Sequence, residues 1–265
     1  MEIEFDIDNK YQLKKYQIDF FKSNGFLKLK NVFSKNRLSY FHDIFYKLVK
    51  KNNLNNLPME KRNTYQKAFI QVTNLWEKNE IIKSFVFGKK ISRLASELLD
   101  VNGVRLYHDQ ALFKEGGGGY TPWHADQYYW PFASEKCCTA WIPLQDTSLN
   151  MGPISFAKGS HRFEYGRKFE ISDESENKIK KSFSNDNYEI FEESFNLGDI
   201  SFHYGWTFHR AAKNQLKKTR GVMTIIFIDS KMKLKKPENI NQESDKKNWC
   251  PGIKIGDIIM SEKIQ

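Results

Sequence analysis

Residues 123–130 read WHADQYYW, a stretch in which His124 and Asp126 lie among four large aromatic residues. Aromatic side chains favour burial, whereas an imidazole and a carboxylate need water, a proton partner or a metal ion. Residues i and i+2 of a β-strand point to the same face. Because Pro122, directly before this stretch, favours an extended chain, we expect His124 and Asp126 to converge on one point.

The sequence around this stretch predicts short β-strands. Five β-rich runs follow Gly103, separated by Gly, Pro, Asn and Asp, at 104–113, 137–145, 152–157, 198–205 and 221–229. Several short strands with turn residues between them indicate an antiparallel sandwich or barrel.

The first hundred residues show a helical pattern instead. After Ser34, the predicted N-cap, apolar residues recur every three or four positions, at Leu38, Phe41, Phe45, Leu48 and Val49. A weaker repeat covers 91–99. We predict one domain over 1–265, with a mostly helical flank (1–103), a β-core (104–230) carrying an exposed insertion at about 165–190, and a C-terminal tail (231–265).

The composition indicates a cytoplasmic protein that binds a small molecule. The three cysteines, Cys137, Cys138 and Cys250, form no disulfide framework, and we find neither a signal peptide nor an apolar run long enough to span a membrane. The net charge of +10 comes largely from scattered lysines. This pattern does not predict nucleic-acid binding, and a positive field favours an anionic small molecule.

A metal site requires a third ligand beside His124 and Asp126. An imidazole and a carboxylate suit ferrous iron, which two histidines and one carboxylate can hold while leaving positions open. A His-x-Asp pair alone is a weak signal. The residues alone leave five candidates for the third ligand: His42, His108, His161, His203 and His209.

Three ordered motifs give a more specific signal. They are PWHADQYYW (122–130), TAWIPLQDTSLNMGPISFAKGSH (139–161) and GDISFHYGWTFHRAAKNQLKKTRGVMTIIFID (198–229). Together they resemble the phytanoyl-CoA dioxygenase family of Fe(II)/2-oxoglutarate oxygenases over about residues 104–230. The resemblance implies a mainly β fold with N-terminal helices and a double-stranded β-helix core, a cupin-like jelly-roll.

The same resemblance implies roles for individual residues. His124, Asp126 and His209 match the iron ligands, which leaves His203 as a packed or supporting histidine. Arg220 matches the arginine that holds the distal carboxylate of 2-oxoglutarate. Residues that match or neighbour cosubstrate positions are Trp141, Lys114 and Gln110. The chain departs from the family pattern at Ala125, where Gln is common, and at Ala211, where a serine often helps to hold 2-oxoglutarate.

The resemblance further implies a reaction with O2 and 2-oxoglutarate that releases succinate and CO2 and hydroxylates a substrate C–H bond. An anionic acyl-CoA, lipid, phosphonate or secondary metabolite is the expected substrate. Five aromatic residues are candidates for the pocket wall or for core packing: Tyr107, Tyr128, Tyr129, Trp130 and Trp206. The alternatives are a non-catalytic β-barrel binding protein, an iron oxygenase that desaturates or cyclises its substrate, and a metal-dependent oxygenase that does not use 2-oxoglutarate.

Overall fold

A computed structural model describes residues 7–53 and 57–264, and within them ten strands form two antiparallel sheets. The strands are β1 (Phe26–Leu29), β2 (Ile70–Thr73), β3 (Val104–Lys114), β4 (Thr121–His124), β5 (Cys137–Pro143), β6 (Ile154–Ala157), β7 (Ile190–Glu192), β8 (Ile200–Tyr204), β9 (His209–Ala211) and β10 (Arg220–Asp229). The larger sheet has the order β1-β8-β5-β10-β3-β2, and the smaller has the order β4-β9-β6-β7.

Helices surround these sheets. They are α1 (Lys15–Asn24), α2 (Lys35–Asn52), α3 (Thr64–Ala68), α4 (Glu80–Val86), α5 (Lys89–Leu99), α6 (Asp173–Asn185) and α7 (Ile240–Trp249). Of the described residues, 37% are helical and 25% are in strands. The prediction of a mainly β protein is therefore wrong, because helices before and after the core outweigh its short strands. The two antiparallel sheets are consistent with the predicted jelly-roll core.

The two sheets bury aromatic and branched side chains between them. Phe26 of β1 stacks on Phe156 of β6, with ring centroids 4.5 Å apart, and Trp141 of β5 packs in the same cluster. The other face of β5 and β10 meets the helices, so Ile142 and Ile225 lie in one cluster with helical residues. Strands buried on both faces read as continuous apolar runs, which explains why these runs were recognisable.

Two of the N-terminal helices, α2 and α5, form where the periodicity predicts them. Helix α2 buries the face that carries Leu38, Phe41 and Phe45. Helix α5 ends at Leu99, and the next residue, Asp100, caps it in a left-handed conformation with φ of 57°. Carboxylate side chains tolerate this conformation better than most, so the helix stops before the Asn-Gly pair at 102–103.

Segments outside the β-core also contribute to the sheets and to the walls. The N-terminal flank supplies β1 and β2, the two edge strands of the larger sheet. Within the segment predicted as an exposed insertion, α6 buries Ile179 and Phe183, because both lie on one helix face. None of the helices in the described part of the chain is long and apolar enough to cross a membrane.

Candidate active site

Two short strands bring His124 and His209 together. His124 ends β4, His209 begins β9, and the two residues are register partners in the antiparallel pair. The residue after His124, Ala125, is extended, and Asp126 begins a 3-10 turn at 126–129. The side-chain ligand atoms of His124, Asp126 and His209 all lie within 4.8 Å of one another. The predicted convergence of these three residues is therefore present.

Backbone carbonyls fix the orientation of both imidazoles. Nδ1 of His124 donates to the carbonyl of Pro122 at 2.7 Å, and Nδ1 of His209 donates to that of Thr207 at 3.0 Å. With Nδ1 protonated, each ring presents the lone pair of Nε2, the atom that faces Asp126 at 3.6 to 3.7 Å. Burial lowers the pKa of both imidazoles to about 4, so both are neutral near pH 7.

The carboxylate of Asp126 is held through one of its two oxygens. Oδ2 accepts hydrogen bonds from Oγ1 of Thr139 at 2.8 Å and from Nε2 of His203 at 3.2 Å. Burial opposes ionisation of Asp126, but nearby His209 and the hydrogen bond from His203 outweigh it and hold its pKa well below the usual range. Oδ1 faces the two imidazoles and remains available as a ligand atom.

The other candidate histidines take different positions. His203 on β8 is buried, its Nε2 donates to Asp126, and its ring centroid lies 4.4 Å from that of His209, but it is not one of the three residues whose ligand atoms cluster. His108 is buried in the cavity wall, where Nδ1 lies 3.4 Å from the side-chain nitrogen of Gln110. His42 contacts its neighbour Asp43 on α2, and His161 lies outside the cavity.

Arg220 begins β10 and lies in the wall of the same cavity as His124, Asp126 and His209. Its side chain is buried, with Nη1 donating to the carbonyl of Gly152 at 2.7 Å and the guanidinium 5.6 Å from the ring centroid of Trp141. Burial lowers its pKa to about 9. Nε is buried and has no hydrogen-bond partner in the described residues. A buried guanidinium with an unused donor suits a carboxylate ligand.

The cavity has a volume of about 750 Å³. Its wall includes the His-Asp-His group, Arg220, and both Trp141 and Gln110 among the residues expected near a cosubstrate. Lys114 lies outside the lining: it is the register partner of Arg220, and its buried amine donates to the carbonyls of Gly119 and Ala212.

Comparison with known proteins identifies the family of this chain. The family model for phytanoyl-CoA dioxygenase (PhyH) matches residues 21–222. The chain belongs to this family. A curated relative, a phytanoyl-CoA dioxygenase from Arabidopsis thaliana, is 26% identical over 160 residues, which are 59% of this chain and 55% of that protein. The match thus spans little more than half of the relative's length.

Solved structures share the fold of this family member. The nogalamycin-biosynthesis carbocyclase SnoK, a non-haem α-ketoglutarate-dependent protein, is 21% identical, with a TM-score of 0.75 and 96% coverage of both chains. EctD from S. alaskensis, solved with 2-oxoglutarate and 5-hydroxyectoine, is 14% identical, with a TM-score of 0.70 and coverage of 91% of this chain and 86% of that one. The epimerase SnoN, solved with Fe3+ and α-ketoglutarate, is 16% identical, with a TM-score of 0.76 and coverage of 94% and 96%.

The aromatic residues expected to wall a pocket divide into two groups in this phytanoyl-CoA dioxygenase family member. Tyr129 and Trp130 line the cavity. Tyr128, Trp206 and Tyr107 do not. Trp206 packs against the guanidinium of Arg167, at 4.7 Å. Tyr107 is fully buried behind the wall.

Much of the cavity wall comes from segments that the sequence did not predict as part of a site. The lining includes residues 63–65, Phe69, Gln71 and Thr73 of the N-terminal flank, residues 170–173 at the start of α6, and Asp245 and Trp249 of α7. These segments carry no motif of their own.

Proposed function

We propose that this protein is an Fe(II)/2-oxoglutarate-dependent dioxygenase in which His124, Asp126 and His209 hold the iron. One observation carries the proposal: two imidazoles and one carboxylate meet in a cavity that also contains the buried guanidinium of Arg220. Two histidines and one carboxylate suit ferrous iron and leave coordination positions open. Membership of the phytanoyl-CoA dioxygenase family supports the same reaction.

The protonation states of the three side chains fit a divalent metal. Metal ligands must be deprotonated, and the two imidazoles are neutral with Nε2 unprotonated because Nδ1 donates to a backbone carbonyl. Asp126 is ionised and keeps Oδ1 free, because Thr139 and His203 bind only Oδ2. The contacts around the ligands therefore prepare the site before a metal arrives.

Arg220 is the proposed anchor for 2-oxoglutarate. Its guanidinium can hold a carboxylate through two parallel hydrogen bonds, and the ring of Trp141 lies alongside it. Gln110 offers a further polar group in the same wall. Lys114 is proposed to position Arg220 rather than to contact the cosubstrate. Its hydrogen bonds to Gly119 and Ala212 hold together the chain segments beside Arg220.

Ala211 stands where the family often has a serine, so another residue must supply the hydroxyl contact to 2-oxoglutarate. Its register partner on β4 is Thr121, a buried residue that also lines the cavity. We assign the missing hydroxyl contact to Thr121, because the two residues lie opposite each other on neighbouring strands.

The proposed reaction is hydroxylation of a C–H bond in a small organic molecule. Once bound, iron and 2-oxoglutarate supply the oxidising chemistry, in which O2 is consumed and succinate and CO2 are released. A cavity of about 750 Å³ has the size of small-molecule sites. Tyr129 and Trp130 give it apolar walls that exclude water from the reacting atoms.

Anaerobic spectroscopy tests the proposal directly. Addition of Fe(II) and 2-oxoglutarate to the metal-free protein should produce the weak visible charge-transfer band of this enzyme class. His209→Ala should abolish the band, because one of the three ligands is lost. If the wild-type protein gives no band and releases no succinate with any member of a broad substrate panel, the proposal is wrong.

Two arginines line the cavity and provide a matched comparison. Arg220→Lys should weaken 2-oxoglutarate binding about tenfold to a hundredfold, because a lysine cannot form the paired hydrogen bonds. Arg210→Lys should change it little, because Arg210 already pairs with Glu176 at 2.9 Å. If Arg210→Lys weakens 2-oxoglutarate binding and Arg220→Lys does not, Arg210 holds the cosubstrate instead.

A further inference from the structure

The charged residues of the cavity wall indicate which substrate charge the cavity favours. Asp126 and Arg220 are assigned to iron and 2-oxoglutarate. Among the described residues, the other charged groups of the lining are one arginine, Arg210, and three acidic residues, Glu170, Asp173 and Asp245. Because Arg210 is paired with Glu176, the wall has an excess of negative charge, although the net charge of the chain is +10.

Of these three acidic residues, Asp245 is the most buried. It lies on the inner side of α7, where Oδ2 accepts a hydrogen bond from the hydroxyl of the fully buried Tyr107. No lysine or arginine of the described residues lies within salt-bridge distance of it. Burial raises its pKa to about 7, against the lowering effect of the Tyr107 hydrogen bond. A cationic ligand would stabilise the ionised carboxylate at this position.

Aromatic rings surround the same part of the wall. Trp249 lies one helical turn after Asp245, and its ring centroid is 5.1 Å from that of His108. The ring centroid of Trp130 lies 6.1 Å from that of His108. All four residues line the cavity. Aromatic faces beside a carboxylate form an environment that favours an organic cation.

Hydrogen bonds fix α7 in this position. The side-chain amides of Asn239 and Gln242 both donate to the backbone carbonyl of Tyr128, at 3.2 and 3.0 Å. Tyr128 belongs to the 3-10 turn that begins at Asp126. The wall formed by Asp245 and Trp249 is therefore tied to the turn that carries one of the proposed iron ligands.

We propose that the substrate carries a protonated amine or quaternary ammonium group, which binds at the Asp245 carboxylate against the rings of Trp249 and Trp130. This inference rests on the proposed function, since it names the substrate class of the same cavity. The net charge led us to expect an anionic substrate, but such a molecule would bring its charge toward Glu170, Asp173 and Asp245. The charge of the cavity wall determines which substrate charge is favoured, because exposed charges beyond about 10 Å are screened by salt.

Three probes of similar size and different charge test this inference: phenethylammonium, 2-phenylethanol and 3-phenylpropionate. Binding is measured by calorimetry on the protein loaded with Fe(II) and 2-oxoglutarate, without oxygen. We expect phenethylammonium to bind at least about tenfold more tightly than the other two, in line with a charge-assisted hydrogen bond. Equal or tighter binding of the carboxylate by the wild-type protein would overturn the inference.

Two substitutions on α7 locate the effect. Asp245→Asn should abolish the preference for the cation, whereas Glu243→Gln, an exposed acidic residue on the same helix, should retain it. A preference that persists in Asp245→Asn would also overturn the inference. The two proposals fail separately: a charge-transfer band without cation preference refutes the amine substrate alone, and cation preference without a band refutes the dioxygenase alone.

Discussion

Replacement of Lys114 by methionine should change how the stability of the protein depends on pH. The lysine side chain is fully buried on β3 and donates to the carbonyls of Gly119 and Ala212. Burial, together with the nearby charges of Arg220 and Arg210, lowers its pKa from 10.5 to about 6. Near pH 7 the amine is therefore largely neutral in the folded protein and protonated in the unfolded chain.

The sign and size of the effect follow from this difference. Because the folded pKa lies below the unfolded pKa, protonation favours unfolding, and stability rises with pH between the two values. One extra proton on the unfolded chain gives a slope of up to about 1.4 kcal/mol per pH unit. Between about pH 7 and pH 9, Lys114 alone should add roughly 2 to 3 kcal/mol to the free energy of unfolding.

Chemical denaturation of wild type and Lys114→Met across this pH range measures the slope. The variant should have a flatter profile, because methionine binds no proton. Asn214→Ala provides the control: Asn214 is buried beside Lys114 and donates to its carbonyl, but it does not titrate in this range. The control should lose stability equally at every pH. Parallel profiles for wild type and Lys114→Met would refute the reasoning.

Three further substitutions test the contacts around the site. His203→Phe and Thr139→Val each remove one hydrogen bond from Oδ2 of Asp126, and each should lower Fe(II) affinity about tenfold to a hundredfold in anaerobic titrations; unchanged affinity would contradict this. Gly152→Ala should destabilise the fold and weaken 2-oxoglutarate binding. Its φ is +65°, an added Cβ would lie 2.1 Å from a backbone oxygen, and its carbonyl anchors Arg220. Normal thermal stability and cosubstrate affinity would contradict this prediction.

Long apolar runs made the core strands predictable. Strands β5 and β10 are buried almost throughout, and their sequences, CCTAWIP and RGVMTIIFID, stand out from the polar remainder of the chain. The short strands β4, β7 and β9 were not predicted as strands. Three or four residues give no periodicity of their own, so their pairing depends on the neighbouring strands.

Only the site residues that lie in recognisable sequence motifs could be predicted. His124 and Asp126 are two residues apart, so their convergence could be expected from the sequence, whereas His209 was singled out among five histidines only by the resemblance to the family. Nothing in the polar segment around Asp245 indicated that it faces a cavity. Its position depends on where α7 packs, and that packing rests on contacts such as those of Asn239 and Gln242 with a distant turn.

The edge strands of the larger sheet have a consequence for how the protein is made. Phe26 of β1, near the start of the chain, pairs with His203 of β8, which leaves the ribosome much later. Such distant pairing gives a high contact order, and high contact order slows folding. His203 also supports Asp126, so the proposed iron site is complete only after β8 has been synthesised and has paired with β1. We therefore expect metal binding to be coupled to a late step of folding.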